Sequence, residues 1–240
     1  MESQSLLKIM VSAGLGSRRK IAQAIQEGRV EVNGNVVTAF NANIDIKEDR
    51  ISFDGVQVNL ETKQKVYLAL NKPAGILSTT NDDRGRKTVM DFVPGNLTGM
   101  QMYPVGRLDR NSTGLILLTN DGDLAYHLSH PRFEHEKEYV VTLNQAVDES
   151  DLAQLRQGIE LEDGMTSTAR ISVINNNRKY SYSVTIHEGK KHIVRRMFAR
   201  LGYIVLDLER TRISCIELGN LKPGETRLLN EHEIARLTSC

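Results

Sequence analysis

Gly106-Arg107-Leu108-Asp109-Arg110-Asn111-Ser112-Thr113-Gly114-Leu115-Ile116-Leu117-Leu118-Thr119-Asn120-Asp121-Gly122-Asp123 is the stretch on which the reading of this 240-residue chain turns. A glycine-bounded loop carrying one carboxylate between two arginines runs into an apolar strand, Leu115–Thr119. Asp121–His130 then reads as a helix, stopped by Pro131. Loops mounted on rigid strands are where chemistry is usually placed. Taken alone, Asp109 is more simply a turn residue that bonds its own backbone, so its weight depends on the surrounding sequence.

Upstream, Val66-Tyr67-Leu68-Ala69-Leu70 reads as a buried strand entering the turn Asn71-Lys72-Pro73-Ala74-Gly75. Residues 81–102 have little periodicity and read as loop around a short helix. Downstream, strands are expected at Lys137–Leu143, 166–174, 180–187 and 203–209. Helices are expected at Asp148–Gln157, at 190–201 and near 230–237. Strands dominate, with helices between runs that are not adjacent. That pattern predicts an α+β fold on a largely antiparallel or mixed sheet with flanking helices.

The N-terminal segment differs in character. Leu6, Leu7, Ile9, Met10 and Ala13 form a helical apolar face, which Gly14-Leu15-Gly16 interrupts. Ser17 is a suitable N-cap for a second helix with Ile21, Ala22 and Ile25 on one side. Arg18, Arg19 and Lys20 fall in its first turn, where cations oppose the helix dipole at a cost of about 0.3 kcal/mol or more each. A docked phosphate would relieve that penalty. Gly28–Gly34 then alternates as a strand ending in an Asn-Gly turn. The polar stretch Asn59–Lys65 marks the boundary, giving domains at 1–62 and 63–240.

Composition excludes several classes. Hydrophobic and charged contents of 40% and 25% are those of an ordinary globular protein. No apolar run reaches the roughly 18 residues that cross a bilayer, and the first ten residues have no secretory layout. A cytoplasmic protein is therefore expected. Cys215 and Cys240 suggest no disulfide framework. His127, His130 and His135 come close in sequence, but no further ligand completes a metal pattern, so none is expected.

The net charge of +1 conceals a distribution. Nine Lys and Arg lie between Arg178 and Arg212 against three acids. With the Arg18-Arg19-Lys20 cluster, they make two concentrated basic patches suited to phosphate.

Gly106–Gly122 has the form GRLDxxSTGLxLLTNDG and resembles the signature of the ribosomal RNA pseudouridine synthases, in the branch that contains the RsuA- and RluB-type enzymes. The N-terminal pattern AGxxSRRxxAxxIxxGRVxVNG is similar to the RNA-binding module named after the fourth small-subunit ribosomal protein. It departs from that module in reading Leu6-Leu7-Lys8 where an Arg-Leu pair is usual. Together these resemblances cover almost the whole chain. They imply a small S4-like RNA-binding domain followed by a pseudouridine synthase catalytic domain.

The resemblance also assigns residues. Asp109 is implied as the carboxylate at the sugar, either attacking it or taking a proton. The run Glu188–Met197 resembles EGxxxQIRRM, with Ile193 where Gln is typical, and implies that Arg195 meets that carboxylate. A nearby opposite charge lowers a carboxyl pKa by about 1–3 units. Tyr139, in the KxY element, is implied as a ring against the base; such stacking contributes on the order of 1–3 kcal/mol. Arg107, two residues before Asp109, is expected to grip the flipped strand, and Leu208 to pack beside the base. Phosphate contacts are expected from Arg18, Arg19, Lys20, Lys190, Lys191 and Arg196.

The implied activity is isomerisation of one uridine in ribosomal RNA, with no cofactor and no metal. Large-subunit (23S) RNA is the preferred substrate, since the KxY element and the preceding His-Pro turn resemble the RluB type. Alternatives are the same chemistry on small-subunit (16S) RNA, or an RNA-binding assembly factor without turnover. The presence of Asp109 speaks against the last. A monomer that touches no membrane is expected.

Overall fold

Alternation along two strands fixes the centre of the larger unit. In β1 (Tyr67–Lys72), Leu68 and Leu70 enter one core while Tyr67 and Ala69 enter another. In the seven-residue strand Thr113–Thr119, Ile116 and Leu118 divide from Leu115 and Leu117 in the same way. A strand whose two faces are both apolar must be covered on both sides. The computed structural model describes residues 3–60, 64–174 and 180–239. It divides the chain into two compact units, Met1–Lys65 and Val66–Cys240.

The first unit packs α1 (Leu6–Ser12) and α2 (Arg18–Gln26) beside a four-stranded antiparallel sheet. Ser17 caps α2 by accepting from the Lys20 amide. Asn33 and Gly34, at φ 52° and 80°, make the Asn-Gly turn, the backbone form that two-residue hairpins favour. Leu6, Leu7, Ile9, Met10, Ile21 and Ile25 form its core.

The second unit carries a nine-stranded sheet. With β1 its strands are β2 (Tyr103–Val105), β3 (Thr113–Thr119), β4 (Lys137–Leu143), β5 (Arg170–Ile174), β6 (Ser181–Ile186), β7 (Val205–Ile213), β8 (Ile216–Glu217) and β9 (Thr226–Leu228). The order is β5-β6-β4-β7-β3-β1-β9, with β8 beside β7 and β2 beside β3. β3 and β7 run parallel; the other neighbours are antiparallel. Residues of α4 (Glu149–Gln157) and α5 (Ile193–Arg200) enter one core, and those of α3 (Gly122–Ser129) and α6 (Glu231–Ser239) the other. The fold is α+β on a mixed sheet.

Several boundaries move. The basic helix begins at Ile193 rather than 190, because His192 adopts φ 55°, left-handed backbone that cannot continue a helix. β7 continues to Ile213, where it pairs with β4 and β8. A short hairpin, Glu160–Leu161 with Gly164–Met165, had no signal in the apolar pattern. The basic residues Arg178 and Lys179, and Cys240, lie outside the described residues. Cys215 is half-buried against the second core.

Candidate active site

The loop that carries Asp109 is pinned at nearly every backbone step. Ser78 Oγ donates to the Leu108 carbonyl at 2.9 Å and accepts from the Leu108 amide at 3.1 Å. The Gly75 amide donates to the Arg110 carbonyl at 2.8 Å, and Arg110 Nε returns a bond to the Gly75 carbonyl. The Ser112 amide donates to the Asp109 carbonyl. The loop therefore presents a side chain on a backbone that has little freedom to drift, which is what positional catalysis requires.

Two buried cations complete the fixation. Lys72 has no exposed surface, and its ammonium donates to the carbonyls of Pro73, Ile76 and Arg110 at 2.9, 3.1 and 3.2 Å. Arg210, only 2% exposed, donates from Nε to Leu115 and from Nη1 to Arg107. It thus clasps carbonyls on both sides of Asp109. Burial pushes the Lys72 amine down to about 8, the Asp109 charge opposes that fall, and Arg210 adds to it. Lys137, on β4, is also pushed down to about 8 by burial and by Arg210. In the exposed 81–86 turn, hydrogen bonds from Arg86 hold the Asp82 carboxyl down at about 2.

The sheet register explains the glycine of Ser112-Thr113-Gly114. Gly114 pairs with Arg210 across the parallel β3–β7 junction, at φ 98°. Tyr139 pairs with Arg210 from the other side. Leu208 and Arg210, two residues apart on β7, share a face of the sheet. Tyr139, Leu208 and Leu108 belong to one buried cluster. The ring expected at the base and the residue before Asp109 are thereby brought into one packed group.

One expected contact is not made. No ion pair joins Arg195 and Asp109; Arg195, in the first turn of α5, turns its guanidinium to the Val205 carbonyl at 2.9 Å. Asp109 instead has His192 Nε2 at 3.3 Å, and its side chain is 37% exposed. The Asp109 charge is also felt by the buried Lys72 amine, whose fall it opposes.

The remaining expected residues are distributed as follows. Arg107 is exposed beside Asp109. Arg196, partly exposed, pairs with Asp163 of the short hairpin. Lys190 lies 3.5 Å from Glu188 and donates to the Met165 carbonyl, while Lys191 is exposed. Arg18, Arg19 and Lys20 are exposed on the first unit. His127 and His135 approach each other at 3.1 Å, and no group of three potential metal ligands exists among the described residues.

Lys72, Ser78, His192 and Arg210 were not singled out in the sequence. For Arg210 the one available signal is its place on the Leu206 and Leu208 side of an alternating strand, and for Lys72 its place just after the apolar run Val66–Leu70. Ser78 and His192 carried none.

The family model described as RNA pseudouridylate synthase matches residues 66–200, and the S4 domain model matches residues 4–51. Ribosomal large subunit pseudouridine synthase B of Bacillus subtilis (strain 168) is 40% identical over 237 residues, 98% of this chain and 95% of that protein. The protein of the same name from Haemophilus influenzae is 40% identical over 222 residues, 90% of this chain and 62% of that protein. A crystal structure of a pseudouridylate synthase superposes with a TM-score of 0.70 at 34% identity, covering 98% of this chain and all of that one.

Proposed function

This chain belongs to the RNA pseudouridylate synthase family, and from that premise we propose that it converts a uridine of large-subunit ribosomal RNA to pseudouridine, with Asp109 at the sugar. It is an isomerase. The N1–C1′ bond of the target nucleotide breaks, the base turns within the site, and a C5–C1′ bond forms. N1 gains a proton and C5 loses one, so the reaction balances without an oxidant, reductant or other co-reactant.

The observation that carries this reading is the fixed Asp109 loop. A carboxylate open to solvent on a backbone held by Ser78, Lys72 and Arg210 suits a group that must meet C1′ or its neighbour repeatedly in one geometry. The Lys72 ammonium holds that loop from the buried side by donating to the Arg110 carbonyl, one residue beyond Asp109. Tyr139 supplies an aromatic wall and Leu208 an apolar one. Arg195 is one turn of helix from His192 and is assigned to the carboxylate once the RNA is seated.

A uridine in folded RNA must first leave its stack, at a cost of a few kcal/mol. Arg107, exposed two residues before Asp109, is placed to hold the flipped strand. Lys190 and Lys191 are assigned to neighbouring phosphates, as are Arg18, Arg19 and Lys20 on the first unit. Arg196 keeps a lesser part, since Asp163 already holds it.

Large-subunit RNA is preferred because a relative that matches across nearly its whole length is named for that subunit. The test is release of tritium from transcripts labelled at C5 of uridine, run in parallel on large- and small-subunit RNA. The expected result is release from the large-subunit transcript at one site per molecule. Release confined to the small-subunit transcript would reassign the substrate without changing the chemistry.

A further inference from the structure

His192 lies within ion-pair distance of the Asp109 carboxylate, and no part of the reaction outlined above uses it. Its Nε2 lies 3.3 Å from Asp109 Oδ1, and the two side chains are 48% and 37% exposed. Both therefore border the same opening. The ring is held there by backbone rather than by packing. His192 sits at φ 55° immediately before α5, and the next two residues, Ile193 and Val194, are buried in the core. It makes no side-chain cap to its own helix. Left-handed backbone in a residue other than glycine is uncommon and is most often kept where it aims a side chain.

The separation from Asp109 is long for a bond between an imidazole N–H and a carboxylate, which is usually about 2.7–2.9 Å. The pair thus leaves its hydrogen-bonding capacity largely unused. A hydroxyl accepts through its lone pairs, so a sugar hydroxyl beside the carboxylate can accept a hydrogen bond from the ring N–H. A sugar whose reacting carbon stands about 3–3.5 Å from an Asp109 oxygen brings the neighbouring ribose oxygen to that place.

We propose that His192 contacts the substrate by hydrogen-bonding the 2′-hydroxyl of the target uridine, and so selects ribose over deoxyribose at that one nucleotide. The inference rests on the assignment of Asp109 to the sugar. The 2′-hydroxyl is the group by which a protein tells RNA from DNA at a given position. The remaining nucleotides are then held by contacts that do not depend on His192.

The test uses the full-length protein and a short RNA centred on the uridine that the wild type modifies, made with either uridine or 2′-deoxyuridine at that position. Affinity is read by fluorescence anisotropy and turnover under single-turnover conditions. His192→Gly removes the ring while suiting the left-handed backbone, and His192→Asn keeps that backbone with a shorter polar group. With the wild type, the ribose-containing RNA should bind or react about tenfold better than the deoxy form, as expected for one hydrogen bond to a charged group. With either variant the difference should fall below about twofold through loss on the ribose RNA, a change too selective for general damage. Equal losses on both RNAs, or unchanged discrimination, would overturn the proposal. Asp109→Asn is run alongside. If it is inactive while the His192 variants still discriminate, only this inference fails; if it retains full turnover, the assignment of Asp109 fails and this inference with it.

Discussion

A β-carbon on Gly114 would lie 2.3 Å from the carbonyl oxygen of Arg210 and 2.6 Å from its amide nitrogen. This approach is the seam at which the Asp109 loop joins the sheet, because β3 and β7 run parallel here for two residue pairs. The contact is backbone to backbone, so no flexible side chain can yield.

Gly114→Ala is therefore expected to destabilise the protein by at least about 3 kcal/mol, adding a steric clash to a backbone conformation that other residues seldom adopt. Thermal or urea unfolding measures it. A melting temperature within a degree or two of wild type would show that the seam is looser than described.

Lys72→Met keeps the volume of a buried side chain but removes the donor to three carbonyls. Each buried acceptor left without a partner costs about 1–3 kcal/mol. Drift of the Asp109 loop by about 1 Å would lower turnover on the order of a hundredfold. Turnover per folded molecule should thus fall further than RNA affinity does. A loss of affinity with unchanged turnover would remove Lys72 from the positioning of Asp109.

The buried amines of Lys72 and Lys137 set a pH dependence of stability. Both are pushed down to about 8 by burial, below the ordinary 10.5. Below pH 8 they are charged in both states, and the burial cost is fully present. Between about 8 and 10 the unfolded chain holds more protons than the folded one, so stability rises with pH. Above 10 the trend reverses. Burial raises Tyr103 to about 12 and, with Asp121, raises Tyr67 as well, so unfolded tyrosines ionise first. Denaturant midpoints from pH 7 to 11 should peak near 10, and the Lys72→Met, Lys137→Met double variant should flatten the rise. A steady decline across this range would contradict it.

Arg195→Ala is expected to abolish turnover with little loss of RNA affinity, because the proposed role of its guanidinium, now on the Val205 carbonyl, is to meet the Asp109 carboxylate once the RNA is seated. Arg18→Ala with Arg19→Ala should instead weaken binding and lower the slope of log affinity against log salt by about 1 per cation removed. Identical behaviour of the two variants would erase the distinction between site and RNA-holding surface.

Local signals gave much of this architecture and long-range ones gave little. The Ser17 cap, the stop at Pro131 and the strand Lys137–Leu143 depend on neighbours in sequence, and all were legible. Asp109 stood out because its whole loop carries a family pattern. The partners of that loop did not. Lys72 reads as an ordinary turn lysine until β1 is buried on both faces, and the burial of Arg210 follows only once β7 is placed between β3 and β4. The pairing of Asp109 with Arg195 is what the resemblance of Glu188–Met197 to the family segment implies. The left-handed turn at His192, which no pattern announces, puts an imidazole at the carboxylate instead.

The central claim concerns the carboxylate of Asp109, and its replacement by an amide of the same shape tests it most directly. Tritium release from C5-labelled large-subunit RNA is measured for the wild type and for Asp109→Asn at equal concentrations of folded protein. The account predicts release by the wild type and none above background from the variant, with RNA affinity retained. Comparable release from both would mean that another group carries the reaction.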